Sequence, residues 1–154
     1  MHAAAKLDNP NKIRQLVADG RDVNSTKHHG HRSPLYTAAH YSSYNAAKAL
    51  LDAGADPNQK HSNGTTPLMV ASSRGSIRTV EMMLAKQGNP NLQARNGYSS
   101  LHYAVQGGQA QIVKLLLRNG ADAGKLDRRG RTAFDLAEQL GDADVIVAMG
   151  GKVL

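Results

Sequence analysis

Ser33-Pro34-Leu35-Tyr36-Thr37-Ala38-Ala39 is restated 33 residues later as Thr66-Pro67-Leu68-Met69-Val70-Ala71-Ser72. A further 33 residues on, the same frame holds Ser100-Leu101-His102-Tyr103-Ala104-Val105, and after 33 more the weaker Ala133-Phe134-Asp135-Leu136-Ala137-Glu138. A fixed period of this length describes an array of small stacking units, because each unit buries its apolar side only against its neighbours. Function in such an array belongs to a surface rather than to an enclosed cavity.

The stretch from Gly64 to Arg95 shows one unit most cleanly. Thr66 is placed to cap a helix by accepting from an exposed backbone N–H, and Pro67 follows where its missing N–H and fixed φ cost nothing. The small Ala71 and Ser72 allow a neighbouring helix to come close, and Gly75 ends the helix in a left-handed turn. Ile77, Val80, Met83 and Leu84 then form the stripe of a second amphipathic helix, with Arg78, Glu81 and Lys86 on its polar face. Gly54-Ala55-Asp56-Pro57-Asn58, Gln87-Gly88-Asn89-Pro90-Asn91 and Gly120-Ala121-Asp122-Ala123-Gly124 follow the second helices with turn formers, each running into a hairpin-like polar loop.

These segments resemble the ankyrin repeat, whose pattern runs Gly-x-Thr-Pro-Leu-His-x-Ala-Ala, then Gly, then Val-x-x-Leu-Leu, then Gly-Ala-Asp-x-Asn. The best matches are Thr66-Pro67-Leu68 with Gly75, Leu101-His102-Tyr103-Ala104 with Gly108, Ile112-Val113-Lys114-Leu115-Leu116-Leu117, and Gly54-Ala55-Asp56-Pro57-Asn58. The resemblance implies an all-α, ankyrin-repeat solenoid of helix-turn-helix units with projecting hairpin loops. It would form a single domain, 1–154, of units at about 1–29, 30–62, 63–95, 96–128 and 129–154. It also implies short helices lining a concave face through which other proteins are bound. His31 stands at a usual Gly position after an extra residue in the first loop, and Ser42 and Gln87 also replace Gly, with Gly88 available to relieve the second. Ser100 and Ala133 replace Pro at helix starts. The last unit ends early at Gly150-Gly151, as a capping unit facing water does. Met1-His2-Ala3-Ala4-Ala5 fits the middle of the pattern, so a trimmed or processed chain would start the same way.

The 154 residues are 40% hydrophobic and 20% charged, within the range of one folded domain. Aromatic residues make up 4% and Trp is absent, so the core falls to Leu, Val, Ile, Met and Ala. The formal net charge of +7 favours an acidic partner or surface. With no Cys, disulfides, thiolate catalysis and Cys-based zinc sites are excluded. No stretch reaches the roughly 18 consecutive apolar residues of a membrane span, and the start lacks the order of a signal peptide. The expectation is a chain that is a monomer alone and cytoplasmic, or periplasmic or secreted if a leader has been removed.

Residues expected at loop tips and on short helices are Lys27, His28, His29, Arg32, His40, Tyr41, Lys60, Arg74, Arg95, Tyr98, Arg128, Arg129 and Arg131, interspersed with amides and serines. Arg and Tyr are enriched at interface hot spots, and this selection reads as a face for an acidic protein. The acidic Asp52, Glu81, Glu138, Asp142 and Asp144 map to second helices or helix ends, away from it. His28-His29-Gly30-His31 has three imidazoles but neither a helical His-x₃-His spacing nor carboxylate partners, and reads as a solvated or partner-facing loop rather than a metal site. His102 falls at the pattern's helix-start His, where a structural hydrogen bond is expected. Tyr36, Tyr103 and Phe134 are expected to pack. The triplets Asn24-Ser25-Thr26 and Asn63-Gly64-Thr65 match a glycosylation pattern at positions the repeat already explains.

No nucleophile elbow, zinc-protease helix or phosphate loop is present, so no catalytic residue, cofactor or enzyme activity is expected. The leading reading is a non-enzymatic regulator, adaptor or inhibitor that binds an acidic protein surface. The alternative is nucleic-acid or polyanion binding driven by Arg128-Arg129-Gly130-Arg131 and the other cations. Charge alone permits both. The spread of cations over five units and the lack of a dense basic stripe with interleaved aromatics weigh against the second.

Overall fold

The computed structural model describes residues 1–27 and 30–152. Among these residues ten α-helices follow one another in five pairs, with no strand. The first helices of the pairs are α1 (His2–Lys6), α3 (Pro34–His40), α5 (Pro67–Arg74), α7 (Ser100–Gln106) and α9 (Ala133–Leu140). The second helices are α2 (Pro10–Ala18), α4 (Tyr44–Asp52), α6 (Ile77–Ala85), α8 (Ala110–Arg118) and α10 (Ala143–Ala148). None exceeds nine residues, too short to persist alone in water, so each depends on its neighbours.

Local chemistry sets the helix starts. Ser33 Oγ accepts from the Tyr36 amide at 3.1 Å and Thr66 Oγ1 from the Met69 amide at 3.3 Å, with Pro34 and Pro67 as first helical residues. Thr132 and Asp135 cap reciprocally: the Asp135 amide donates to Thr132 Oγ1 at 3.1 Å, and the Thr132 amide donates to Asp135 Oδ2 at 2.7 Å. At the helix ends, Ser42 (φ 56°) and Gln87 (φ 66°) adopt the left-handed conformation that Gly75, Gly108 and Gly141 adopt elsewhere, and His31 (φ 61°) does so in the first loop. The relief expected from Gly88 does not occur, since Gln87 itself makes the turn. Gly88 is instead needed for packing, because a Cβ there would lie 2.7 Å from the Met83 carbonyl oxygen.

First helices pack on first helices and second on second from one end of the array to the other. The first-helix row, the inner row, is the more closely packed, tightest between α5 and α7. Small residues permit this: Ala38, Ala39, Ala71, Ser72 and Ala104 are all fully buried. At the end of α7, Gly107 abuts the Ser73 carbonyl oxygen so closely that any Cβ would collide with it. Leu35, Leu68 and Leu101 of the inner row and Leu50, Met83 and Leu116 of the outer row form the continuous core. In α6 the predicted stripe holds for Val80 and Met83, but Ile77 is 38% exposed and Thr79 is buried instead.

A second set of bonds ties the outer turns together. Asn24 Oδ1 accepts from the Asp56 amide at 2.9 Å and its Nδ2 donates to the Gly54 carbonyl at 3.4 Å. Asn58 repeats this with the Asn89 amide (2.7 Å) and Gln87 carbonyl (3.0 Å), and Asn91 with the Asp122 amide (2.7 Å) and Gly120 carbonyl (2.9 Å). Each asparagine thus satisfies two backbone groups of the next unit. These roles account for Asn24 without glycosylation. No helix of the described residues is long and apolar enough to cross a membrane.

Candidate functional site

The loops that precede α5, α7 and α9 share one local design. His61, Ala94 and Asp127 each donate an amide to the carbonyl four residues on, at Thr65 (2.7 Å), Tyr98 (2.9 Å) and Arg131 (2.9 Å), which closes the predicted hairpin-like turn. The tips are then joined to one another: the Arg95 amide donates to the Asn63 carbonyl at 3.0 Å, and the Arg128 amide to the Asn96 carbonyl at 3.1 Å. Gln93 Nε2 extends the tie to the Leu126 carbonyl at 2.8 Å, and Lys60 Nζ reaches the Gln93 carbonyl at 3.3 Å. The result is a ribbon of tips held by main-chain groups, from which side chains project over the inner helices.

Two grooves open on this inner side. The first, about 310 Å³, is lined by His2, Ala3, Lys6, Arg32, Tyr36, Thr37, His40 and Tyr41. It is largely aromatic. Tyr36 is buried, with the Arg32 guanidinium 5.5 Å from its ring centre and the His61 ring at 5.1 Å on another side, while Lys6 lies 5.0 Å from the Tyr41 ring centre. Arg74 Nη2 lies 3.1 Å from Nδ1 of His40. Burial lowers the His40 pKa, and the charges of Arg74 and Arg32 lower it further, so this ring is neutral at pH 7.

The second groove, about 510 Å³, is lined by Arg95, Asn96, Tyr98, Gln106, Asp127, Arg128, Arg129 and Arg131. Its floor is rigid. Tyr98 stacks on His102 with ring centres 5.3 Å apart and meets Tyr103 edge-on at 5.4 Å. His102 has the expected structural role: its Nδ1 accepts from the Ser99 amide at 3.3 Å and its Nε2 donates to the Arg131 carbonyl at 3.2 Å, linking α7 to the next loop. Burial lowers the His102 pKa against the Arg131 carbonyl and Asp127, which raise it, and the ring stays neutral in this bridge.

Asp127 corrects the expectation that carboxylates avoid this face. Its side chain is 1% exposed and accepts from the amides of Arg129 (2.8 Å) and Arg131 (3.0 Å) and from Arg131 Nε (3.0 Å) and Nη2 (2.7 Å). Burial raises its pKa, but the Arg131 amide, the Arg131 guanidinium and the Arg129 amide outweigh burial and hold the carboxyl at about 2. Arg131 is therefore neutralised and fixed, with further bonds to Tyr98 Oη at 3.3 Å and to Gln139. Arg95, Arg128 and Arg129 are exposed and form no ion pair among the described residues.

Of the thirteen residues singled out in the sequence, Arg32, His40 and Tyr41 meet in the first groove, with Arg74 against His40. Arg95, Tyr98, Arg128, Arg129 and Arg131 meet in the second. Lys27 is exposed beside a separate hollow with Arg21 and Asp22, and Lys60 is exposed on the tip ribbon. His28 and His29 lie outside the described residues. Among the described residues no three His, Asp or Glu side chains are placed to hold a metal. His2, Lys6 and Asp127 were missed. With the extra residue of the first loop allowed for, His2 stands at the position of Tyr36 and Lys6 at that of His40, the same inner-helix positions, so the repeat itself offered the signal for both.

Residues 1–94 match a family model described as ankyrin repeats (3 copies), and residues 83–137 match another described as ankyrin repeats (many copies). No curated protein matches the chain.

Proposed function

The chain belongs to the ankyrin-repeat family, whose repeats form protein-interaction modules, and we propose that it binds a protein with an acidic surface through the inner helices and loop tips. The module acts as a regulator, adaptor or inhibitor without catalysis of its own, and is a monomer until it meets its partner. The observation that supports this reading is the set of exposed arginines without carboxylate partners, Arg95, Arg128 and Arg129, on a fixed aromatic floor. Charged groups left unpaired at a rigid surface keep their full attraction for an opposite charge, and a pre-ordered backbone lowers the entropy cost of engaging it.

The test uses the chain as bait in lysate of its source, with partner affinity then measured for variants. Charge reversal at Arg74 and Arg95 is expected to weaken binding by more than about 2 kcal/mol while changing stability by less than about 0.5 kcal/mol. Charge reversal at Lys86 and Lys114, on or after second helices, is expected to change affinity little. Equal losses from both pairs would mean diffuse attraction and would end the reading. Displacement of the partner by any duplex DNA or by heparin, with a steep fall in affinity as salt rises, would favour nucleic acid instead.

A further inference from the structure

We infer that the two grooves read different chemistry, and that the second is the acid-reading subsite, taking neighbouring carboxylates of an extended acidic peptide on Arg95, Arg128 and Arg129. This rests on the proposed inner-face binding and adds where on that face the acid is read. The register of the loops carries the inference. Arg95 and Arg128 occupy the same tip position in successive loops, and the main-chain bonds from the Arg95 amide to Asn63 and from the Arg128 amide to Asn96 hold those tips side by side. Arg129 is the next residue, its amide fixed on Asp127 Oδ1. All three guanidinium groups are free of carboxylates, and each presents a planar fork suited to a carboxylate.

The first groove lacks this arrangement. There each cation is set against a ring, Arg32 over Tyr36, Lys6 over Tyr41 and Arg74 against His40, and Ala3 and Thr37 share the lining with these rings, which suits an apolar or aromatic side chain. A peptide fits the second groove better than a nucleic acid does for two reasons. Tyr98 has one face stacked on His102 and its hydroxyl taken by Arg131 rather than standing free as a platform for a base, and Asp127 cancels the charge of Arg131 in the very groove where a phosphate track would need it. The exposed Gln106 beside the arginines can pair with a peptide main chain.

The experiment measures fluorescence anisotropy of a short labelled peptide of alternating Glu and Ser, too short to span both grooves. It is titrated with wild-type chain, Arg95→Glu, the pair Arg128→Glu and Arg129→Glu, the pair Arg32→Glu and Arg74→Glu, and the pair Lys86→Glu and Lys114→Glu. Melting curves first establish that each variant is folded. The expected result is at least a tenfold loss for the first two variants and a change within about twofold for the others. Arg128→Lys with Arg129→Lys, which keeps charge but loses the fork, is expected to fall between. Equal loss from Arg32 and Arg74 would overturn the subsite and leave inner-face binding standing. Equal loss from Lys86 and Lys114 would overturn both. No binding by the wild type, or tighter binding of a duplex DNA of matched charge through the same arginines, would also overturn the inference.

Discussion

Replacing Asp127 by Asn tests whether one buried carboxylate organises the last loop. The asparagine Oδ1 can still accept from the amides of Arg129 and Arg131, but its NH₂ would face the Arg131 guanidinium, donor against donor, where Oδ2 now accepts at 3.0 and 2.7 Å. Breaking a buried pair costs about 3–5 kcal/mol. Arg131 retains 20% side-chain exposure and can partly rehydrate, so a loss of about 2–3 kcal/mol at pH 7 is expected. The acid side follows from linkage. The folded pKa of about 2 lies below the ordinary 3.8. The carboxylate therefore adds stability that is fully present above about pH 4 and disappears as pH falls through 2, a span of about 2 kcal/mol. Urea unfolding followed by circular dichroism at matched ionic strength should show wild type and Asp127→Asn well separated at pH 6 and converging by pH 2. Because end units of an array fray first, amide exchange in α9 and α10 should report the same change locally. A separation that is constant with pH, or smaller than about 0.5 kcal/mol at pH 6, would refute the reasoning.

Asn58→Ala should lower stability by about 1–3 kcal/mol with an unchanged urea m-value, since it removes bonds to both the Asn89 amide and the Gln87 carbonyl. Gly107→Ala should cost about 1–3 kcal/mol although φ there is an ordinary −82°, because the new Cβ meets the Ser73 carbonyl where α5 and α7 are closest; a neutral effect in thermal melts would contradict that packing. Leu116→Ala, at a fully buried position of α8, should cost about 2–5 kcal/mol, and a loss below about 1 kcal/mol in the same unfolding assay would argue against the stacked core.

What was legible in the sequence was what repeats and what is local. Thr66 before Pro67, Gly75 after α5 and the buried Val80, Met83 and Leu116 are each dictated within a few residues by capping, left-handed geometry or helical period. Ile77 was misjudged because the first residue of a helix lies at the edge of its buried stripe. The sites were harder to read. Whether a basic side chain at a loop tip is free or bound depends on what lies beneath it, and period alone does not say. Comparison of tip positions offered a clue: Asp127 takes the place of Ala94 and His61 and is the one acid of the three, four residues before an arginine. Lys6 and His2 were in register with His40 and Tyr36 once the additional residue between α2 and α3 is counted, but whether the first, incomplete unit shares a groove with the second depends on how α1 packs on α3, which register alone does not give.

Folding and recognition divide at the loop tips according to which atoms each uses. The tips are joined through the Arg95 and Arg128 amides and the Asn63 and Asn96 carbonyls, and these main-chain bonds form whatever the side chains at 95 and 128 are. Those side chains are therefore available to a partner without any stability cost, whereas Arg131, one turn of the same loop away, has its guanidinium committed to Asp127, Tyr98 and Gln139. The consequence is a sharp contrast between adjacent arginines. Arg128→Ala should leave the urea midpoint unchanged and weaken binding of an acidic peptide, because it removes only an exposed charge. Arg131→Ala should lower the urea midpoint clearly, because it takes two donors from Oδ2 of the buried Asp127 carboxylate and leaves it only the amides of residues 129 and 131. Its effect on peptide affinity should be confined to what loosening of the loop produces, and stabilising the loop by lower temperature should recover it. If Arg131→Ala is neutral to stability while abolishing peptide binding, the roles assigned to the two arginines are reversed.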